Sequence, residues 1–182
     1  MPFLVALDTA FAPRGLTVLR YDLPYRQARP KGPPRPREAA GDRAGLREAV
    51  QGLRAQVSGR VFLGGQSYGG RQASILAAAE PGLADALLLL SYPLHPPGRG
   101  TELRTAHFPA LRTPALFVHG AADPFGALVE LEAALKLIPA RTSLLPIEGA
   151  GHDLYRRGGR VTVEAIVAAF LAFVSRCSIA TA

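Results

Sequence analysis

Three side chains, Ser67, Asp123 and His152, are of the types and in the order that nucleophilic acyl chemistry requires. Ser67 stands in Gly65-Gln66-Ser67-Tyr68-Gly69, behind the short apolar run Val61-Phe62-Leu63 and ahead of an Ala-rich helical stretch. That is the strand, sharp turn and helix of a Gly-x-Ser-x-Gly nucleophile elbow. Glycine two residues before and two after the serine, at Gly65 and Gly69, suits the strained turn, because a Cβ there is expected to collide with strand or helix. An unassisted serine hydroxyl is a poor nucleophile near neutral pH. It needs a histidine to take its proton and a carboxylate to hold that histidine's tautomer. Asp123 follows the apolar run Ala115 to His119, and His152 follows Thr142 to Ile147 in a Gly-rich turn. The backbone N–H of Tyr68 is the expected oxyanion donor. Leu94 and Phe125 are the expected walls of the acyl pocket.

Each residue also has a plainer role. Ser67 could serve only as a helix N-terminal serine, and Asp123, ahead of Pro124, is a good N-cap with proline at the first helical position. Glu148 and Asp153 are reserve acids near the histidine. His95 and His107 fall at the wrong points of the chain order, and His119 is expected to end its strand facing neighbours. Arg71, in the first turn after the elbow, is expected to pair with a nearby carboxylate.

Positioning three such residues requires strands that alternate with helices. Leu4, Leu7 and Phe11 fall at helical spacing, and Pro13-Arg14-Gly15 ends that helix. Leu16 to Tyr21 is β-branched and short, which predicts a strand. Prolines 24, 30, 33, 34 and 36 predict a long loop over 22–37. Leu46, Val50, Leu53 and Val57 mark one face of a helix over 42–57. Further strands are expected at 61–64, 86–91, 115–119 and 142–147, with helices at 69–80, 124–138 and 161–174. The connection 93–113, with Pro93, Pro96, Pro97 and Pro109, reads as irregular and too short for a lid domain. The alternation predicts one α/β domain over 1–176, a mostly parallel sheet with helices on both faces, and a loose tail over 177–182. Right-handed crossovers put every strand-to-helix turn on one edge of such a sheet, where ligands bind.

Composition narrows the classes. With 182 residues and 48% hydrophobic content the chain can bury a core and is not a disordered one. The N-terminal Met1 to Asp8 carries no basic segment ahead of its apolar residues, and no apolar run is long enough to span a bilayer. The lone Cys177 forbids an internal disulfide, and a cytoplasmic location is expected. The net charge is +7, and Arg26, Arg29, Lys31, Arg35 and Arg37 fall in one proline-rich stretch. Without interleaved aromatics or a helix to present them, they predict a solvated basic loop rather than a nucleic-acid surface. Its position after a strand end could rim a site and favour anionic substrates. No metal and no cofactor are expected, nor any membrane partner.

The segments Asp22-Leu23-Pro24-Tyr25, Gly64 to Arg71, Ser91 to Gly98, His119 to Gly126 and Glu148 to Asp153 together resemble the α/β-hydrolases. More narrowly they are similar to small bacterial proteins related to the hydrolase-like domain of the nonspecific-lethal chromatin complex subunit 3 and of a testis-expressed protein. Dienelactone hydrolases are a more distant likeness, with Ser67 in place of their usual cysteine. The resemblance implies Ser67 as nucleophile, Asp123 as orienting acid and His152 as base. It also implies a strand and an oxyanion loop ahead of the first helix, whereas the sequence opens inside that helix. The missing strand belongs between 16–21 and 61–64, so a gap in the sheet is expected, with the N-terminal strands and any lid domain lacking. The expected activity is hydrolysis of a small ester, thioester or lactone through an acyl-enzyme. A catalytically weak or inactive binding module of the same fold is the alternative.

Overall fold

The computed structural model describes residues 2–155 and 159–177. In chain order the elements are α1 (Pro2–Phe11), α2 (Pro24–Ala28), α3 (Ala39–Gln56), β1 (Phe62–Gln66), α4 (Tyr68–Ala79), β2 (Ala86–Leu90), β3 (Ala115–Gly120), α5 (Leu128–Leu135), β4 (Thr142–Ile147) and α6 (Gly159–Ser175). The four strands form one parallel sheet in the order β1-β2-β3-β4. All their C-terminal ends therefore lie on one edge. β2 and β3 are buried along their whole length, as their unbroken Leu and Val content requires of strands covered on both faces.

The two-residue period of the strands sorts the core into two layers. Leu63, Leu87, Leu89, Ala115 and Phe117 pack against Leu46 and Val50 of α3, Leu76 and Ala77 of α4, and Leu131 and Leu135 of α5. Ala86, Leu88, Leu90, Leu116 and Val118 face Phe3, Leu7 and Phe11 of α1 and Ile166, Val167 and Phe170 of α6. Helices thus cover both faces. Cys177 still packs on the second layer, so the chain is not loose at that residue. Positions 178–182 of the expected tail lie outside the described residues.

The predicted strand at 16–21 is not one. Residues 16–22 run without helical or strand structure and make no backbone–backbone hydrogen bond among the described residues. The reason lies across from them. In the β1–β2 ladder Val61 O accepts from Asp85 N–H and Ser67 N–H donates to Leu90 O. Backbone direction alternates along a strand, so Phe62, Gly64 and Gln66 turn their N–H and C=O groups away from β2. Between that open edge and the 16–23 segment lies a cavity of about 1380 Å³, floored by α1 and α3 residues and reaching Ser67 and Tyr68. The gap expected between these two segments is present, and a chain segment with nothing to pair with stays coil.

Two further expectations shift. The loop 22–37 contains the short helix α2, started by Pro24 at a position where its missing N–H costs nothing. α5 begins at Leu128 rather than Pro124, because Pro124 to Gly126 form a separate turn and the Glu130 carboxylate accepts the N–H of Ala127. Among the described residues no helix is long and apolar enough to cross a membrane.

Candidate active site

Ser67 ends β1 at φ 51° and ψ −117°, a conformation that L-residues rarely hold. The turn closes by contact of glycine backbones. A Cβ at Gly70 would sit 2.6 Å from Gly65 O, and one at Gly65 would sit 2.7 Å from the backbone of Gly69 and Gly70. Gly69 faces open space, so the residue that must lack a side chain after the serine is Gly70, three positions on. Helix geometry explains the difference: position 70 is turned back onto β1, whereas position 69 is turned away from it.

His152 Nε2 lies 2.8 Å from Ser67 Oγ, and His152 Nδ1 lies 2.8 Å from Asp123 Oδ2. A neutral imidazole in this arrangement donates Nδ1–H to the carboxylate and accepts the serine O–H at Nε2. The Asp123 side chain is fully buried, and its Oδ1 accepts the N–H of Phe125 at 2.9 Å. Asp123 therefore caps the Pro124 turn and holds the histidine with separate oxygens. His119, also fully buried, donates Nε2–H to Gly126 O at 2.8 Å and pins the far side of that turn. It supports the acid rather than replacing it. Gly120 lets the loops close, since a Cβ there would come within 2.2 Å of Gly151 O.

Phe125 meets the His152 ring edge-on, with centroids 4.6 Å apart. Leu94, expected as a pocket wall, is instead fully buried and packs against Gly126. Its apolar character serves the core, a role that sequence alone cannot separate from pocket lining. Tyr68 contributes its position at the first turn of α4, where backbone N–H groups lack helical partners. Its side chain points elsewhere: the hydroxyl donates to Asp42, while Tyr25 stacks edge-on at 5.4 Å. Burial, then the Asp42 hydrogen bond and charge, push the Tyr68 phenol well above its ordinary value.

The basic loop is largely satisfied from within. Arg26 donates to Pro30 O, and Arg29 donates to Pro33 O and to Glu38. Arg71 departs from expectation in the other direction, forming no ion pair among the described residues. Among those residues no group of three or more His, Cys, Asp or Glu side chains could hold a metal ion.

A parallel sheet with an elbow serine, and an acid and a histidine on later strand ends, defines the α/β-hydrolase class. The family model described as an alpha/beta hydrolase domain matches residues 1–174, and the chain belongs to that family. Its fold is similar to an alpha-beta serine hydrolase homologue from Coxiella burnetii (TM-score 0.72, 18% identity, 92% of this chain and 75% of that one). It is similar also to XC6422 from Xanthomonas campestris, described as an a/b serine hydrolase without lid (TM-score 0.70, 20% identity, 100% and 76%). Over 64 residues it is 43% identical to the polyketide synthase ThaQ of Burkholderia thailandensis, a match spanning 35% of this chain and 3% of that protein.

Proposed function

We propose that the protein is a serine hydrolase that cleaves a small ester, thioester or lactone through an acyl-enzyme. The observation that carries this reading is the pair of 2.8 Å hydrogen bonds running from Ser67 Oγ through His152 to the buried Asp123 carboxylate. Ser67 Oγ attacks the acyl carbon as its proton passes to His152 Nε2. The positive imidazolium is held by Asp123, and the tetrahedral oxyanion sits at the N–H of Tyr68. His152 then returns the proton to the leaving oxygen or sulfur. Water enters and gives a proton to His152 as its oxygen attacks the acyl carbon; the bond from that carbon to Ser67 Oγ then breaks, Oγ takes the proton back from His152, and the acid leaves.

The test is turnover of 4-nitrophenyl butyrate. Activity in the wild type that is lost in Ser67→Ala and falls roughly 10³-fold or more in His152→Ala and Asp123→Asn supports the reading. Equal turnover by wild type and Ser67→Ala refutes it and favours a binding module.

A further inference from the structure

Two cations close to the elbow, Arg71 and Arg104, form no ion pair among the described residues. Arg71 sits one helical turn after Ser67, its N–H bonded to Ser67 O, and helical side chains lean toward the N-terminal end of their helix. Its charge is felt at Tyr92, Arg104 and His107, which places the guanidinium beside the segment that follows β2. Nε of Arg71 is buried without a hydrogen-bond partner, and neither Arg71 nor Arg104 forms an ion pair among the described residues.

The segment carrying Arg104 is fixed over the first turns of α4. Tyr92 donates its hydroxyl to Arg104 O at 2.6 Å, and Arg104 N–H donates to Leu94 O. The next residue, His95, donates its N–H to Phe125 O, and Phe125 touches His152. Three residues beyond Arg104, His107 meets α4 directly. Ser74 Oγ donates to Arg71 O at 3.0 Å, so the same oxygen accepts from His107 Nε2–H at 2.8 Å. His107 is held neutral, its pKa lowered to about 4 by burial and by the Arg71 charge. Burial and then the same Arg71 charge lower Arg104. His107 thus adds no further positive charge beside the arginines, and being neutral it cannot serve as their counter-ion.

Two half-buried guanidinium groups that repel one another are costly unless an anion comes between them. The planar forks of arginine match a carboxylate in bidentate geometry. We infer that Arg71 and Arg104 form an anion subsite of the Ser67 centre, and that the acyl group of the substrate carries a carboxylate. This deepens the hydrolase reading and, for its substrate, rests on it.

The test compares mono-4-nitrophenyl glutarate with 4-nitrophenyl butyrate on the full chain. The wild type is expected to prefer the glutarate ester, and the ratio of the two kcat/KM values to fall about 10- to 100-fold in Arg71→Gln and in Arg104→Gln, mainly through KM. Arg71→Lys keeps the charge and falls by less. A wild type with no preference, or variants that lose both substrates equally while folded by circular dichroism, overturns the inference. Absence of turnover on both esters counts against the hydrolase reading alone. Glutarate binding to Ser67→Ala by calorimetry then decides the subsite: heat that disappears in the Ser67→Ala, Arg71→Gln double variant supports it, and no heat refutes it. Inorganic phosphate bound more tightly than glutarate at the same residues overturns the carboxylate assignment.

Discussion

The hydroxyl of Tyr68, the residue after the candidate nucleophile, donates to Asp42 Oδ2 at 2.7 Å, and the other oxygen of this fully buried carboxylate accepts the N–H of Tyr25 at 2.8 Å. One side chain of α3 thereby ties the elbow to the start of α2. Asp42→Ala leaves two half-buried donors, Tyr25 N–H and the Tyr68 hydroxyl, without this acceptor, at about 1–3 kcal/mol. For a chain of this length that is a fall in Tm of roughly 3–10 °C. Asp42→Asn keeps one acceptor and should lose less, a ranking that scanning calorimetry checks.

Tyr68 and Tyr92 are both raised above the ordinary phenol value, chiefly by burial. A raised tyrosine in the fold means that the unfolded chain gives up that proton first. The stability these two contribute is intact below about pH 10 and is lost as pH rises beyond it. Absorbance titration of the native protein should therefore show two tyrosines, Tyr68 and Tyr92, still protonated above the ordinary phenol range. Tyr68→Phe should reduce that number to one.

The elbow makes a contrast between adjacent glycines. Gly70→Ala drives a methyl onto the Gly65 backbone, which cannot give way as a side-chain tip could, and should cost about 1–3 kcal/mol or more. Gly69→Ala meets open space inside a helix and should be neutral or stabilising by up to about 1 kcal/mol. Urea denaturation of the two variants separates them.

Much of this was legible in the residue pattern. The helices α1, α3 and α4 and all four paired strands follow from periodicity and from proline and glycine boundaries. The turns bearing Ser67, Asp123 and His152 announce themselves because each follows a strand-length apolar run. Residues 16–21 misled because their composition is that of a strand, while pairing depends on a neighbour that composition does not describe. The Pro124 turn misled because proline after aspartate opens a helix and a turn equally well. Gly70 rather than Gly69 became identifiable only once the direction of each Cβ was known. The Asp42–Tyr68 bond and the Arg71–Arg104 pair join residues 26 and 33 positions apart, which no local pattern connects.

His107 gives a pH signature. Its depressed pKa, about 4 against 6.5, means that the unfolded chain binds a proton between those values and the folded chain does not. Stability is therefore full above pH 6.5 and declines as pH falls toward 4, by up to roughly 3 kcal/mol before screening by solvent. His107→Gln should flatten the dependence of the urea midpoint on pH over that window. A variant profile as steep as that of the wild type would place the titration elsewhere.

The convergence of Ser67, Asp123 and His152 on one reactive centre is tested most directly by intact-mass analysis after incubation with a fluorophosphonate. The expected result is one adduct, mapped to Ser67, absent in Ser67→Ala and formed at least about 100-fold more slowly in His152→Ala. Folded wild-type protein that takes up no label, or a label that persists in Ser67→Ala, would contradict it.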